Sequence, residues 1–329
     1  DITTDQFGFY NLDIRKVLEA IYVNYQGNRK CDDFKAMSIY LKRIWFSNGI
    51  YHHYGSEKFA PDFSPLFLLD AMKSIEPSLL PLTEDETVEG LFDRLKSAIF
   101  DPNFQPKKVD KADGCDLVAT SACNFYQDVT QQEVEDYYSA LKATVGKNPP
   151  SFGLNSRLVK QNGELAEQVW KVDGMYGKAI ETIVFYLQQA AEYAENEQQQ
   201  KIINLLIKYY QTGNLRVFDE YSIEWLNEHE GRVDFINGFI EVYNDPLGLK
   251  ASWEGIVEYK DLEATRRTRT ISDNAQWFED NSPVDTRFKK KTVKGVTANV
   301  VCAAMLGGDE YPSTAIGINL PNADWIRAR

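Results

Sequence analysis

Apolar residues recur at helical spacing through most of the first 150 positions. Ile14, Val17, Leu18, Ile21, Tyr22 and Tyr25 fall on one face of a helix, and Gly27 supplies its stop. Phe34, Met37, Ile39, Leu41, Ile44 and Trp45 form a second amphipathic run behind Asp32-Asp33. Thr83 and Glu86 stand at capping-box spacing ahead of Val88, Leu91, Phe92, Leu95 and Ile99, which predicts a helix capped at Thr83. Thr130 and Glu133 repeat the device ahead of Val134, Tyr137, Tyr138 and Leu141. Asp101-Pro102 and Pro149-Pro150 punctuate these helices.

The period changes after position 154. Leu158-Val159 and Val169-Trp170 flank a polar segment containing Asn162-Gly163, a pair suited to the left-handed turn of a β-hairpin. Two long helical stripes follow over about 176–195 and 197–212, and Val217, Phe218, Tyr221 and Trp225 carry the pattern toward Asn227. Residues 233–243, rich in β-branched and aromatic side chains, predict a strand ended by Asn244-Asp245-Pro246. A charged, helical excursion runs from about 260 to 292. Residues 297–306 are strand-like again, and a Gly-Gly-Asp loop leads to a second strand over 314–320. There is no fixed-period repeat and no low-complexity tract. The pattern is α+β: mainly α-helical, with a small mixed sheet assembled from residues distant in sequence.

Composition narrows the partners. At 329 residues the chain exceeds the usual size of one domain, and 43% hydrophobic with 26% charged residues is ordinary globular usage. A net charge of −13 argues against nucleic acid, and the short basic runs Arg266-Arg267 and Lys289-Lys290-Lys291 read as solvated faces. The longest apolar runs, such as that around Ile202, Leu205, Leu206 and Ile207, are too short for a membrane span. Cys31, Cys115, Cys123 and Cys302 have no CxxC spacing and read as reduced thiols. They suit a cytoplasmic location, with a periplasmic or secreted precursor as the alternative.

Candidate chemistry is concentrated in three places. Glu241 and Tyr243 stand at positions i and i+2 of the predicted strand, so carboxylate and phenol would share a face. A carboxylate there can hold an ammonium and a phenol can donate to an oxyanion; a common strand-end pair is the alternative. In Gly317-Ile318-Asn319-Leu320-Pro321-Asn322, an Asn on a strand offers edge hydrogen bonds to an extended peptide and Gly permits close approach, although Asn beside Pro also marks a loop. Tyr51-His52-His53-Tyr54 forms a ring cluster in which Tyr54 either walls an apolar subsite or packs a loop. The three histidines, His52, His53 and His229, fall in no HExxH pattern, and no P-loop, Rossmann fingerprint or GxSxG elbow occurs.

Taken together, and in this order, the motifs resemble the dipeptidyl peptidase III family of zinc metallopeptidases, in a bacterial-type form. The resemblance is carried by Gly238-Phe239-Ile240-Glu241-Val242-Tyr243-Asn244-Asp245-Pro246-Leu247-Gly248 with Trp253-Glu254-Gly255 downstream. Ser313-Thr314-Ala315-Ile316-Gly317-Ile318-Asn319-Leu320-Pro321-Asn322 adds to it, as does Trp45-Phe46-Ser47-Asn48-Gly49 followed by Tyr54-Gly55. It implies a two-lobed exopeptidase that releases N-terminal dipeptides from short peptides. In that frame Tyr243 is the catalytic transition-state donor, and Glu241 and Asn322 hold the substrate ammonium. Asn319 and Gly317 bind the peptide backbone, with Tyr54 and Glu254 as further subsite residues. The family's HExxGH zinc helix and its later Glu ligand are absent, so the resemblance implies a zinc cofactor for the full-length protein and no metal ligands in this chain. The expected organisation is a lower lobe over 1–260, a helical excursion toward the upper, zinc lobe over 261–296, and return strands over 297–329. Both ends look truncated, so the remainder of the same polypeptide joins short peptides as an expected partner. A segment inactive on its own follows; the alternative is a non-catalytic peptide-binding protein that has lost the zinc lobe.

Overall fold

The computed structural model describes residues 1–293, 299–311 and 317–328. Its first part is helical: α1 (Ile2–Gln6), α2 (Asn11–Asn24), α3 (Asp32–Ser47), α4 (Pro65–Lys73), α5 (Val88–Phe100) and α6 (Leu117–Thr120). Most of the residues predicted on the α2 and α3 stripes are buried or half-buried, with Ile39 and Trp45 exposed instead, and the stripes meet α4 and α5 in one core that includes Leu18, Ile21, Met37, Leu41, Leu91 and Leu95. Each such side chain removed from water contributes roughly 1.5–3 kcal/mol. One boundary differs from expectation. Helix α5 is capped by Thr87, whose hydroxyl accepts from Gly90 N–H at 3.0 Å, and Thr83 with Glu86 forms a turn just before it. Glu86 is drawn instead to the Arg94 guanidinium at 2.8 Å, an ion pair that stabilises the turn rather than a helix start.

The second part alternates. Strand β1 (Tyr126–Gln127) and helix α7 (Gln131–Ala143) precede the hairpin β2 (Ser156–Gln161) and β3 (Glu164–Val169). Thr130 and Glu133 form the reciprocal capping box at the start of α7. Asn162 and Gly163 both take positive φ in the hairpin turn, as the sequence requires. Strand β1 pairs parallel with β2 and β2 antiparallel with β3, so this small sheet is mixed. Helices α8 (Gly177–Glu192), α9 (Glu197–Thr212) and α10 (Leu215–Leu226) then pack a second core around Trp170, Leu206, Tyr210 and Phe239.

The sheet that carries the site is antiparallel in the order β4 (Val233–Glu241), β5 (Ser252–Lys260), β6 (Val301–Gly308). The central strand, β5, lies where the sequence pattern predicted none. The buried Gln6 of α1 holds its start: the side-chain amide donates to Ala251 O at 3.1 Å and accepts from Trp253 N–H at 2.8 Å. Between β5 and β6 run α11 (Leu262–Asp273) and α12 (Ala275–Asn281), in which no residue is buried. Beyond β6 the expected strand over 314–320 is not found. Residues 314–316 lie outside the described residues, and Gly317 to Leu320 belongs to no strand. The physical reason is local: Pro321 has no N–H for a ladder, and the segment is tied down by a side chain, Asn322 Nδ2 donating to Ile240 O at 3.3 Å. The chain ends in α13 (Asp324–Arg327), anchored by the buried Ile326.

Candidate functional site

A cleft of about 640 Å3 opens along the edge where the ends of β4, β5 and β6 meet the loop after α3 and the segment before α13. All seven residues singled out from the sequence line it: Tyr54, Glu241, Tyr243, Glu254, Gly317, Asn319 and Asn322. They come from four stretches of chain, so the fold, not sequence proximity, assembles them.

The floor is set by strand register. Ser252 and Glu254 are two apart on β5 and share a face. A β-bulge between Phe239 and Glu241 shifts β4 so that Glu241 pairs with Ser252, which places its side chain in the same row as Glu254. Without the bulge Glu241 would alternate to the opposite face, with Phe239 in the core. Tyr243 reaches the cleft by another route than the one predicted. Strand β4 ends at Glu241, so Tyr243 lies past the strand end and is 74% exposed. The turn behind it is rigid. Asp245 accepts from Tyr126 Oη and from the N–H groups of Leu249 and Lys250, each at 2.8 Å.

Four carboxylates, Glu241, Glu254, Asp309 and Glu310, line this space. Asp309 is held by two donors, its Oδ2 accepting from Ser252 Oγ at 2.6 Å and Asn244 Nδ2 at 2.8 Å. Glu241 accepts from the Asn322 amide, yet burial, opposed by that bond, still pushes its carboxyl up, as do Asp309 and Glu310. Glu254 is only 2% exposed, and no hydrogen-bond donor among the described residues reaches its carboxyl. Its partners across the sheet are Gly238 on β4 and Gly308 at the end of β6, neither of which has a side chain to offer. Burial first, and then Glu310, Asp309 and Glu241, push its pKa up to about 9.

The opposite wall comes from the end of α3. Asn48 takes the left-handed conformation that closes the helix, and its side-chain amide donates to Gly308 O at 3.0 Å and Tyr311 O at 3.1 Å. That clamp joins the wall to the loop carrying Asp309 and Glu310. His52 and His53 lie in a loop rather than on a helix or strand, so their rings stack, with centroids 4.6 Å apart, instead of diverging. His53 and Tyr54 line the cleft, and Tyr54 is 76% exposed there. At Gly317 a Cβ would meet nothing within 4 Å, so open space faces the backbone of the third segment. Burial lowers the pKa of Lys108, beneath Asp309, to about 8.

Among the described residues no three or more His, Cys, Asp or Glu side chains stand together in a way that would hold a metal ion. The donor set suits cations of another kind: acidic oxygens arranged around a space, with amides at its rim. Sequence reasoning missed Asp309, Asn48 and His53 as part of this wall. The Gly307-Gly308-Asp309 loop was visible, but only its return against Asn244 and Ser252 makes Asp309 a structural tie.

Comparison with known proteins gives the chain its relatives. Dipeptidyl peptidase 3 of Dictyostelium discoideum is 23% identical over 308 residues, covering 90% of this chain and 43% of its own length. The Homo sapiens dipeptidyl peptidase 3 is 21% identical over 319 residues, with 90% and 42% covered. The solved structure of DPP III from Caldithrix abyssi superposes with a TM-score of 0.66 at 19% identity, covering 99% of this chain and 49% of that one, which establishes a shared fold. The chain thus spans less than half the length of these curated relatives. The model of the family described as Peptidase family M49 matches residues 91–329, and the chain belongs to that family.

Proposed function

We propose that this chain provides the peptide-holding part of a dipeptidyl peptidase that releases dipeptides from the N-termini of short peptides. The observation that carries the reading is the convergence of Glu241, Tyr243, Glu254, Asn319, Asn322, Gly317 and Tyr54 on one cleft. In this reading Glu241 and Asn322, already bonded to one another, receive the substrate α-ammonium. Gly317 and Asn319 meet the peptide backbone, and Tyr54 and Glu254 border the side-chain subsites. Tyr243, exposed at the cleft and held by the Asp245 turn, donates its phenolic hydrogen to the oxyanion that forms on the scissile carbonyl. Clamping the free amino end measures the substrate from its terminus, which fixes the cut two residues in.

Among the described residues no group of three or more His, Cys, Asp or Glu stands ready to hold a metal ion, and the 329 residues contain no HExxGH run. We therefore assign zinc dependence to another part of a longer polypeptide, and expect the isolated chain to bind peptides without cleaving them. Residues 1–260 and 297–329 make up one lobe in this reading, and 261–296 an arm toward the other. Helices α11 and α12, which bury no residue, support that division. No helix among the described residues is long and apolar enough to cross a membrane. A reducing compartment such as the cytoplasm suits four free thiols.

The test is binding of a free-amino pentapeptide to the chain by calorimetry, alongside Asn322→Ala. Loss of the amide is expected to weaken binding at least tenfold, equivalent to about 1.4 kcal/mol. Equal affinity of wild type and variant would remove Asn322 from the site. Hydrolysis of a dipeptidyl arylamide by the isolated chain would overturn the division of labour.

A further inference from the structure

Glu254 is set apart from every other acid in the cleft. Asp309 accepts from Ser252 and Asn244, and Glu241 from Asn322. Glu254 is almost completely buried, lines the cleft, and receives no hydrogen bond from any described donor. Its directly paired neighbours on both adjacent strands are glycines, which have no side chain to turn toward it. An ionised carboxylate so placed, beside three others, has little solvent and no counter-charge.

We propose that Glu254 carries a proton in the empty cleft and surrenders it when a cationic peptide end enters, so that the site exchanges one proton for one ligand charge. The inference rests on the peptide-holding reading above and specifies its chemistry. The step balances: the Glu254 O–H bond breaks, the proton leaves to solvent, and the ammonium held at Glu241, in the same row of the sheet, compensates the Glu254 carboxylate charge. Groups facing this acid from the packed elements agree with the direction. Glu241 on β4 and Asp309 and Glu310 beyond β6 oppose its ionisation, as does burial. The cationic groups nearby are otherwise engaged or placed: Lys108 lies under Asp309 with its amine 4.0 Å from the centroid of the Phe7 ring, and Arg327 lines the far rim beside Asp324. His53, the remaining titratable ring, is shifted by burial toward its neutral form.

The consequence is proton release on binding. A raised acid that ionises only in the complex makes affinity climb with pH by up to about tenfold per unit, over the range below about pH 8 where the peptide ammonium stays charged. The experiment is calorimetry of pentaalanine binding to the 329-residue chain near neutral pH, in phosphate and in Tris. The dependence of heat on the buffer's ionisation enthalpy counts the protons released. About one proton is expected for wild type and about none for Glu254→Gln, whose amide is an isostere of the protonated acid; its melting temperature verifies folding. Binding without proton release overturns this inference and leaves the peptide-holding reading intact. Release unchanged in Glu254→Gln overturns it as well, because the proton then belongs to another acid. No binding by wild type removes both.

Discussion

Lys250, two residues before β5, and Glu254, within it, stand four residues apart, both nearly excluded from water, and they do opposite work. Lys250 is 0% exposed, and burial lowers its pKa to about 8. Its ammonium is fully engaged, however, donating to Tyr138 Oη, to Ser156 Oγ at 3.2 Å and to Gly153 O at 3.3 Å. Tyr138 and Ser156 in turn donate to Glu167 on β3. That network ties α7, the mixed sheet and the turn behind Tyr243 to one another. Glu254 faces a cleft and has no donor. Burial perturbs both groups, so a perturbed pKa alone does not mark a functional residue. Unmet hydrogen-bonding capacity directed at open space does.

The comparison breaks most visibly through stability. Lys250→Met keeps the volume but strands the Tyr138, Ser156 and Gly153 groups. A loss of about 2–4 kcal/mol is expected in chemical denaturation. Glu254→Gln removes no bond and is expected to leave the protein at least as stable as wild type. If the two variants lost equal stability, the distinction between a satisfied and an unsatisfied buried ionisable group would fail here.

A smaller effect separates the two groups by sign. Glu254 is raised from 4.5 to about 9, so between those values the folded chain holds a proton that the unfolded chain has released. Its contribution to stability is present below about 4.5 and is lost as pH rises toward about 9. Lys250 is lowered from 10.5 to about 8, so between those values the unfolded chain binds the extra proton. Its contribution therefore grows as pH rises above about 8. Each slope is bounded by about 1.4 kcal/mol per pH unit. Melting temperatures between about pH 5 and 8 should fall more steeply for wild type than for Glu254→Gln, and parallel curves would contradict the assignment.

Much of the scaffold was readable from the chain because its signals are local. The α2 and α3 stripes, the Thr130–Glu133 box and the Asn162-Gly163 turn each depend on residues within a few positions of one another. The central strand β5 was not readable. Glu254 and Gly255 interrupt its alternation, and its place is set by Gln6 at the other end of the chain. The identities of the cleft residues came from motif resemblance, but their geometry did not. Glu241 depends on a bulge that no spacing announces, and Tyr243 lies beyond the strand end. The Gly317 to Leu320 segment reached the cleft without forming a strand. The lack of a paired side chain beside Glu254 arises from two glycines separated by 70 positions, Gly238 and Gly308, a relation visible only once the sheet is paired.

The measurement that bears most directly on the cleft is discrimination of a free amino terminus. Pentaalanine and N-acetyl-pentaalanine differ only in that charge, and Glu241 with Asn322 is the pair assigned to receive it. Titrated into the 329-residue chain by calorimetry, the free peptide is expected to bind at least about tenfold more tightly than the acetylated one. Equal affinity for the two would contradict a cleft built to hold a peptide by its amino end.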